Sequence, residues 1–169
     1  MKKARILFIV AFIFFLLSPV GLQAGEKSFT GKVTRVIDGD TIEVLYTEVC
    51  KGKKVYIPFR IRLQGIDCPE RGQAFGRKAK QFVSRLCFGK QVKVIEHGQD
   101  RYRRTLGSVI LPGGKNLNRE LVKAGLAWWY RRYSNDQVLM KLEDQARRER
   151  RGLWQDKNPI PPWEYRRKK

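Results

Sequence analysis

Histidine and cysteine are scarce in this chain, and their scarcity excludes several kinds of site. The 169 residues include one histidine, His97, and three cysteines, Cys50, Cys68 and Cys87, with no CxxC pair. A zinc site of cysteine and histidine, or a mechanism that needs two histidines, therefore lacks its side chains. Three cysteines allow at most one internal disulfide, and the sequence leaves its pairing open.

Long apolar runs are absent except near the N-terminus. The run ILFIVAFIFFLL (6–17) has 12 residues, follows the basic MKKAR and precedes SPVGLQA. It is shorter than the roughly 20 residues that a membrane-spanning helix needs. The pattern is typical of a signal peptide over residues 1–24, with cleavage after Ala24 and a secreted or periplasmic product. The alternative is an uncleaved membrane anchor through residues 6–20.

Acidic residues are few, and the chain is strongly basic. Lysine and arginine number 36 against 16 aspartates and glutamates, which gives a net charge of +20. The basic residues are spread along the chain, and a field of this sign attracts polyanions. We expect nucleic acid as the partner, with anionic glycans or membrane surfaces as alternatives. We expect a monomer, with no protein partner and no membrane contact beyond the export signal.

Five segments show the apolar alternation of β-strands. They are residues 29–37, 39–47, 54–63, 91–96 and 105–112. Pro58 in the third segment predicts a bulge or an edge position, because proline cannot donate to a ladder.

Three further segments have helical patterns. In residues 76–90, Ala79, Phe82, Val83, Leu86 and Cys87 recur at helical spacing, which predicts an amphipathic helix with Cys87 in the core. Residues 116–129 predict a short helix. Residues 134–154 predict a longer one, capped by Ser134 or Asn135. The proline-rich tail, 158–169, is expected to be a non-helical strap across the domain.

The order of these elements predicts an α+β fold. Three strands, a helix, two strands and two helices fit a five-stranded antiparallel barrel of OB type with about three helices. We expect residues 25–169 to form one domain. The fold class alone does not give a function.

Two acidic turns stand out against the basic background. Asp40 in VIDGDT (36–41) begins the second strand, and Asp67 in IRLQGIDCPERGQAFG (61–76) ends the third. Neighbouring antiparallel strands would bring these carboxylates together, and they repel unless a cation lies between them. Oxygen ligands without histidine suit Ca²⁺ or Mg²⁺, and such a cation would attract phosphate. Each acid taken alone is also compatible with a plain turn.

Other charged residues near these turns suit phosphodiester cleavage. Glu70 follows Asp67 by three residues and could accept a proton from water. Arg62 lies on the polar face of the third strand, and DRYRR (100–104) offers a second arginine before the fifth strand. Guanidinium groups are planar and permanently charged, which suits binding of phosphate oxygens.

Three motifs together resemble the staphylococcal nuclease (thermonuclease) family. They are VIDGDT, IRLQGIDCPE and GQDRYRRTLGSVI, in this order and spacing, and LNRELVKAGLAWWY and WEYRR are similar to bacterial members. The resemblance covers residues 28 to 165. It implies an OB-fold barrel with three helices and a calcium-dependent phosphodiesterase that acts on DNA and RNA. It also implies attack by water and expulsion of the 5′-oxygen, leaving 3′-phosphate ends.

The resemblance implies roles for five residues around the two acidic turns. Asp40 and Asp67 match calcium ligands, with the backbone carbonyl of Cys68 as the third. Thr41 matches the residue that holds a metal-bound water. Glu70 matches the general base, or the residue that positions the attacking water.

The resemblance also implies a set of substrate contacts. Arg62 and Arg104 match the two phosphate-binding arginines, and Arg101 and Tyr102 match residues near a terminal phosphate. Tyr133 matches, more loosely, an aromatic residue that packs against a base.

Two departures from the family pattern affect these assignments. The family has Tyr-Gly-Arg where this chain has Tyr102-Arg103-Arg104, so Arg103 becomes a substrate contact and a rival for Arg104. The loop after Glu70 is also shorter than in the founding nuclease. The alternative function is a non-catalytic OB-fold module that binds nucleic acid, although acids on a binding face would then have no purpose.

Overall fold

The computed structural model describes residues 26–168. The predicted signal peptide, residues 1–24, lies outside the described residues. Within the described part, no helix has both the length and the apolar character needed to cross a bilayer.

Five strands close into a barrel in the order β1–β2–β3–β6–β5. A two-residue strand, β4, falls between β3 and β5 in the chain and belongs to a separate small sheet. The bounds are β1 Ser28–Val36, β2 Thr41–Cys50, β3 Lys53–Leu63, β4 Ile66–Asp67, β5 Gln91–Gln99 and β6 Thr105–Ile110. The five segments predicted to be strands are thus the five strands of the barrel, and the predicted α+β class and OB-type barrel are confirmed.

The barrel is not entirely antiparallel as predicted. β3 and β6 run parallel, with Ile61 beside Thr105 and Leu63 beside Gly107. Strand direction cannot alternate around a closed ring with an odd number of members, so at least one of the five pairs must be parallel. Pro58 pairs with Leu45 of β2 and lies outside the short β3–β6 ladder, so it occupies the predicted edge position.

Alternation along the strands builds the barrel interior. Ile42 and Val44 of β2, with Ile61 and Leu63 of β3, belong to the core, and all four are fully or almost fully buried. Burial of each such side chain contributes about 1.5–3 kcal/mol. Helix α1 (Gly76–Cys87) packs its apolar face, which includes Ala79, Val83 and Cys87, into the core that the barrel strands share. Cys87 is therefore a core residue, as predicted.

Helix α2 (Leu117–Lys123) is shorter than predicted. After Gly125, at φ +66°, the chain forms strand β7 (Trp128–Trp129), which pairs with β4. A Cβ at Gly125 would lie 2.2 Å from the carbonyl oxygen of Arg151, so only glycine fits this crossing. The prediction of helix over residues 116–129 is therefore wrong in its second half.

Helix α3 (Gln137–Arg148) is shorter at both ends than the predicted helix over 134–154, and Gly152–Gln155 forms a separate 3-10 turn. The N-cap of α3 is Asp136, whose carboxylate accepts from the Val138 amide at 2.8 Å, so the predicted caps, Ser134 and Asn135, are wrong. The Ser134 hydroxyl instead accepts from the amide of the capping residue, Asp136, at 3.2 Å.

The tail contains helical structure, contrary to prediction. Helix α4 (Pro162–Tyr165) is a single turn followed by a 3-10 turn, Arg166–Lys168. Pro162 stands in the first turn, where a helix does not need its amide hydrogen. The tail does cross the domain as expected, because the Trp163 ring stacks on Tyr130 with centroids 5.1 Å apart.

All three cysteines are free in the described structure. Cys50 is exposed near the tip of the β2–β3 hairpin, whereas Cys68 and Cys87 are buried in the hydrophobic core. The one internal disulfide that the count allowed does not form here.

Candidate active site

Arg62 lies at the centre of the candidate site. Its Nη2 atom is 3.1 Å from Asp40 Oδ2 and 2.8 Å from Asp67 Oδ1. Its Nη1 atom donates to the carbonyl oxygens of Leu63 and Ile66. Burial works against the guanidinium charge, but Asp40 and Asp67 outweigh it and raise the pKa of Arg62. A permanently charged group therefore joins the two acids that the sequence singled out.

Asp40 is fixed by the turn between β1 and β2. Its carbonyl oxygen accepts from the Leu63 amide at 2.8 Å, and its Oδ2 accepts from the Cys68 amide at 2.8 Å. The Thr41 hydroxyl donates to Oδ1 at 3.2 Å. Gly39 permits this approach, since a Cβ there would lie 2.8 Å from the Cys68 Cβ. The carboxylate therefore lies between Arg62, near the end of β3, and the Cys68 amide, just after β4.

Asp38 is a second acid in the same turn as Asp40. Burial, followed by the neighbouring Asp40, raises its pKa to about 6. Its Oδ1 accepts from the Asp40 amide at 3.2 Å, which stabilises the turn. Asp38 thus shapes the turn that presents Asp40.

Asp67 lies in β4, rather than at the end of β3 as predicted. Its side chain is 1% exposed and contacts two guanidinium groups, those of Arg62 and Arg166. Burial raises the pKa of this carboxyl group, Arg166 and Arg62 oppose that rise, and Asp40 adds to it. The extra strand still brings Asp67 to Asp40, because one nitrogen of Arg62 contacts both carboxylates.

Glu70 stands in the loop between β4 and α1. Its amide donates to Gln73 Oε1 at 2.9 Å, and its carbonyl oxygen accepts from the Gln73 amide. Its side chain is 37% exposed, and Oε1 is 2.5 Å from Arg166 Nη1. Glu70 is therefore near Asp67 and open to solvent, and both acids contact the same guanidinium.

Arg166 is a residue of the site that sequence reasoning missed. It reaches Asp67 and Glu70 from the C-terminal tail, 99 and 96 residues away in the chain. Its neighbours Arg167, Lys168 and Lys169 are also basic, so composition does not distinguish it. The only signal that could have found it was the WEYRR motif.

The second predicted arginine, Arg104, lies immediately before β6. Residue Thr105 pairs with Ile61, so Arg104 enters the strand beside the one that carries Arg62. Its Nε donates to Asp100 Oδ2 at 2.7 Å. Burial would raise the pKa of Asp100, but hydrogen bonds from Arg104 and Tyr102 lower it.

Arg103 occupies the position where the family has glycine. Its φ is +59°, in the left-handed region, and it is exposed. An arginine thus adopts the backbone conformation that glycine takes readily, at a cost of about 1–2 kcal/mol. Arg103 thus takes the left-handed position of this turn, and Arg104 immediately precedes β6.

The other predicted substrate contacts are exposed on the surface. Arg101 donates to the Tyr102 hydroxyl at 2.7 Å, and Tyr102 is 63% exposed. Tyr133 is 56% exposed and packs against Tyr130, 4.7 Å between centroids. Tyr130 stacks on Trp163, so Tyr133 adjoins the tail that carries Arg166.

The donors at the site suit a hard cation. Asp40, Asp67 and Thr41 offer only oxygen, and the two carboxylates meet at one Arg62 nitrogen. Among residues 26–168 there is no cluster of three or more acidic, histidine or cysteine side chains of the kind that encloses a metal. A donor set made only of oxygen suits a hard cation better than a metal that needs nitrogen or sulfur.

Comparisons with known proteins agree with this architecture. Residues 60–156 match the family model described as staphylococcal nuclease homologue. An uncharacterized endonuclease of Escherichia coli O157:H7 is 46% identical over 139 residues, which cover 82% of this chain and 86% of the relative. A micrococcal nuclease of Shigella flexneri is 44% identical over 149 residues, 82% of this chain and 81% of the relative.

A third relative extends this agreement to another bacterium. An uncharacterized endonuclease of Haemophilus influenzae is 42% identical over 142 residues, 84% of this chain and 75% of the relative. The chain belongs to the staphylococcal nuclease family, and these relatives support a nuclease function.

Proposed function

We propose that the protein is a calcium-dependent nuclease that hydrolyses phosphodiester bonds of DNA and RNA. It would cut the bond between phosphorus and the 5′-oxygen and leave 3′-phosphate ends. The observation that carries the proposal is the single Arg62 nitrogen that contacts both Asp40 and Asp67, with Glu70 close by on the next loop. A module that only binds nucleic acid has no use for three acids on its binding face.

Asp40 and Asp67 would hold the calcium ion, with the backbone carbonyl of Cys68 as a third ligand. Thr41, which donates to Asp40, would hold a water in the ion's shell. When bound, the ion neutralises charge on the phosphate oxygens. Magnesium is a weaker candidate, because it requires near-ideal octahedral geometry.

The two arginines would bind the scissile phosphate. Arg62 is fixed by its contacts with Asp40 and Asp67, and Arg104 by Asp100. Arg62 already donates from Nη1 to two backbone carbonyl oxygens and from Nη2 to both of these carboxylates. It would therefore bind a phosphate oxygen through Nε or by exchanging one of these contacts for the phosphate.

Glu70 would act as the general base. It takes a proton from water, the water oxygen bonds to phosphorus, and the bond from phosphorus to the 5′-oxygen breaks. The departing 5′-oxygen takes a proton from solvent, and the other product keeps the 3′-phosphate. The 37% exposure of the Glu70 side chain fits this role, because the base must reach water.

Arg101, Tyr102, Arg103 and Tyr133 would contact the nucleic acid around the phosphate. Their exposure suits contact with a strand, and tyrosine rings stack on any base. Removal of Lys2, Lys3 and Arg5 with the signal peptide would leave a net charge of 20 − 3 = +17, so binding to phosphates would dominate affinity. This favours activity on both DNA and RNA, with strong dependence on salt.

We also propose that the protein is exported and that it acts as a monomer with one domain. The basic start, short apolar run and small residues of 1–24 support a signal peptide that is removed after Ala24. The product, residues 25–169, would be a secreted or periplasmic single-domain monomer.

The experiment that tests the proposal replaces the base. Glu70→Gln should lower kcat by about 10²–10⁴-fold, the usual contribution of a general base, with calcium affinity and KM within a few-fold of wild type. Glu48→Gln, an exposed glutamate far along β2 from Asp40, is the matched control and should cut normally. Full turnover in Glu70→Gln would remove Glu70 from the mechanism.

A further inference from the structure

The Glu70 carboxylate is engaged by the C-terminal tail. Arg166 Nη1 lies 2.5 Å from Glu70 Oε1. The same guanidinium contacts both oxygens of Asp67, with Nη2 2.8 Å from Oδ2 and Nη1 3.3 Å from Oδ1. One planar group therefore spans the candidate base and a candidate metal ligand.

The two carboxylates differ in how firmly the rest of the protein holds them. The Asp67 side chain is 1% exposed and also bonded to Arg62, whereas that of Glu70 is 37% exposed and extends from a loop. Ordering a glutamate side chain costs rotamer entropy. A base is effective only when it is held within reach of the proton that it takes. Arg166 ties the freer carboxylate to the fixed one.

The tail is docked on the same small sheet that carries Asp67. The Trp163 ring lies parallel to that of Tyr130, with 5.1 Å between the ring centroids. It meets the Trp128 ring edge-on, with 5.6 Å between the centroids. Trp128 of β7 pairs directly with Asp67 of β4. The tail that carries Arg166 is therefore packed against β7, the strand that pairs with the strand of Asp67.

A second link joins the tail to the loop of Glu70. Gln73 Nε2 donates to the Ile160 carbonyl oxygen at 2.7 Å, while Gln73 Oε1 accepts from the Glu70 amide at 2.9 Å. The tail thus holds the backbone of Glu70 through Gln73 and its carboxylate through Arg166.

The contact leaves Glu70 able to act. A carboxylate has two oxygens and about four acceptor positions, and Arg166 engages Oε1, so Oε2 can accept a proton. Asp40, Asp67 and Glu70 together face two guanidiniums, those of Arg62 and Arg166. Asp38, which also interacts with Arg62, brings the acids to four against two guanidiniums, so an excess of negative charge is left to attract a cation.

We propose that Arg166 is a positioning residue, which holds the Glu70 carboxylate in place relative to Asp67 for proton transfer from the attacking water. The inference rests on the proposed role of Glu70 as the base. It makes the proline-rich tail part of the catalytic unit and assigns the tail a function beyond packing.

The first test compares Arg166→Gln, Arg166→Lys and Arg167→Gln with wild type. With saturating calcium and a labelled single-stranded oligonucleotide, Arg166→Gln should lower kcat about 100-fold, the loss typical of a misplaced catalytic group. KM, and calcium affinity measured by calorimetry, should stay within a few-fold. Arg166→Lys should recover part of kcat, and the exposed neighbour Arg167→Gln should match wild type.

The second test asks whether Arg166 acts through Glu70. In a Glu70→Gln background, adding Arg166→Gln should lower kcat little further, because groups that serve one step are not additive. The same fold loss in both backgrounds would overturn the positioning role. Tighter calcium binding with faster cutting in Arg166→Gln would also overturn it and make Arg166 a competitor of the cation.

Failure of this inference is distinguishable from failure of the proposed function. A low kcat in Glu70→Gln with normal kcat in Arg166→Gln overturns the positioning role alone. Normal kcat in Glu70→Gln refutes the base itself, and the positioning role with it. Thermal melting of each variant ensures that folded proteins are compared, and Arg166→Lys keeps the tail's charge if Arg166→Gln does not fold.

Discussion

The Nε atom of Arg104 donates to Oδ2 of Asp100 at 2.7 Å, across the turn that contains Arg103. Asp100 Oδ1 also accepts from the amides of Tyr102 and Arg104. A carboxylate thus builds the turn by capping several amides, and the left-handed residue within it does not have to be glycine.

Substitutions in this turn should separate the two arginines. Arg103→Gly should keep kcat and raise stability by about 1 kcal/mol, because glycine adopts φ +59° without the steric cost. Arg104→Ala should lower kcat by about 10²–10³-fold, the loss expected for one donor to the developing charge. Steady-state kinetics and thermal melting measure both. A larger kcat loss for Arg103→Gly than for Arg104→Ala would reverse the assignment.

Removal of one carboxylate should weaken calcium binding. Asp40→Asn removes a charged oxygen ligand, so its calcium affinity should fall at least about tenfold in a calorimetric titration, since ligand charge sets affinity for this ion. Glu48→Gln, on the same strand, is the control. If Asp40→Asn titrates like wild type, the calcium site lies elsewhere.

The three thiols should react at very different rates. Burial raises the pKa of Cys87 to about 11, with partial opposition from Lys90, and burial raises that of Cys68 as well. At pH 8 both therefore stay protonated, whereas Cys50 is exposed. We predict that a chromogenic disulfide reagent modifies one thiol quickly in native protein and three in denaturant. Cys50→Ser should abolish the fast phase, and a fast phase that survives this change would contradict the buried positions.

A buried acid outside the site should matter for stability. Glu143 on α3 is 1% exposed, accepts from the Trp129 amide at 3.2 Å and pairs with Arg131 and Arg147. Glu143→Ala leaves a partly buried amide without its acceptor and should cost about 2 kcal/mol of unfolding free energy. The exposed Glu149→Ala should leave the denaturant midpoint unchanged. Equal midpoints for the two variants would show that Glu143 does not tie α3 to β7.

Most of the barrel could be predicted because its signals are local. Alternation along β2 and β3 and the 3.6-residue period of α1 each reflect one element with one buried side. The parallel β3–β6 pair was missed although ring closure requires it. The end of α2 was missed because Trp128 and Trp129 gain their pairing from β4, far away in sequence.

The site was predictable where neighbouring strands determine proximity. The hairpin of β2 and β3 brings Asp40 towards Arg62 and Asp67. The other predicted site residues were indicated by the motifs and their spacing. Arg166 could not be placed by strand pairing, because its position depends on the stacking of Trp163 in the tail on Tyr130 in the main body of the domain. The roles of these residues stay predictions until variants are measured.

The most direct test of the central claim is cleavage of a labelled single-stranded DNA by the purified protein, with Ca²⁺ and with a chelator, followed by analysis of the product ends. Our account predicts cutting only with calcium, and fragments that end in 3′-phosphate. Tight binding without cutting in any divalent ion would contradict it and favour a module that only binds nucleic acid.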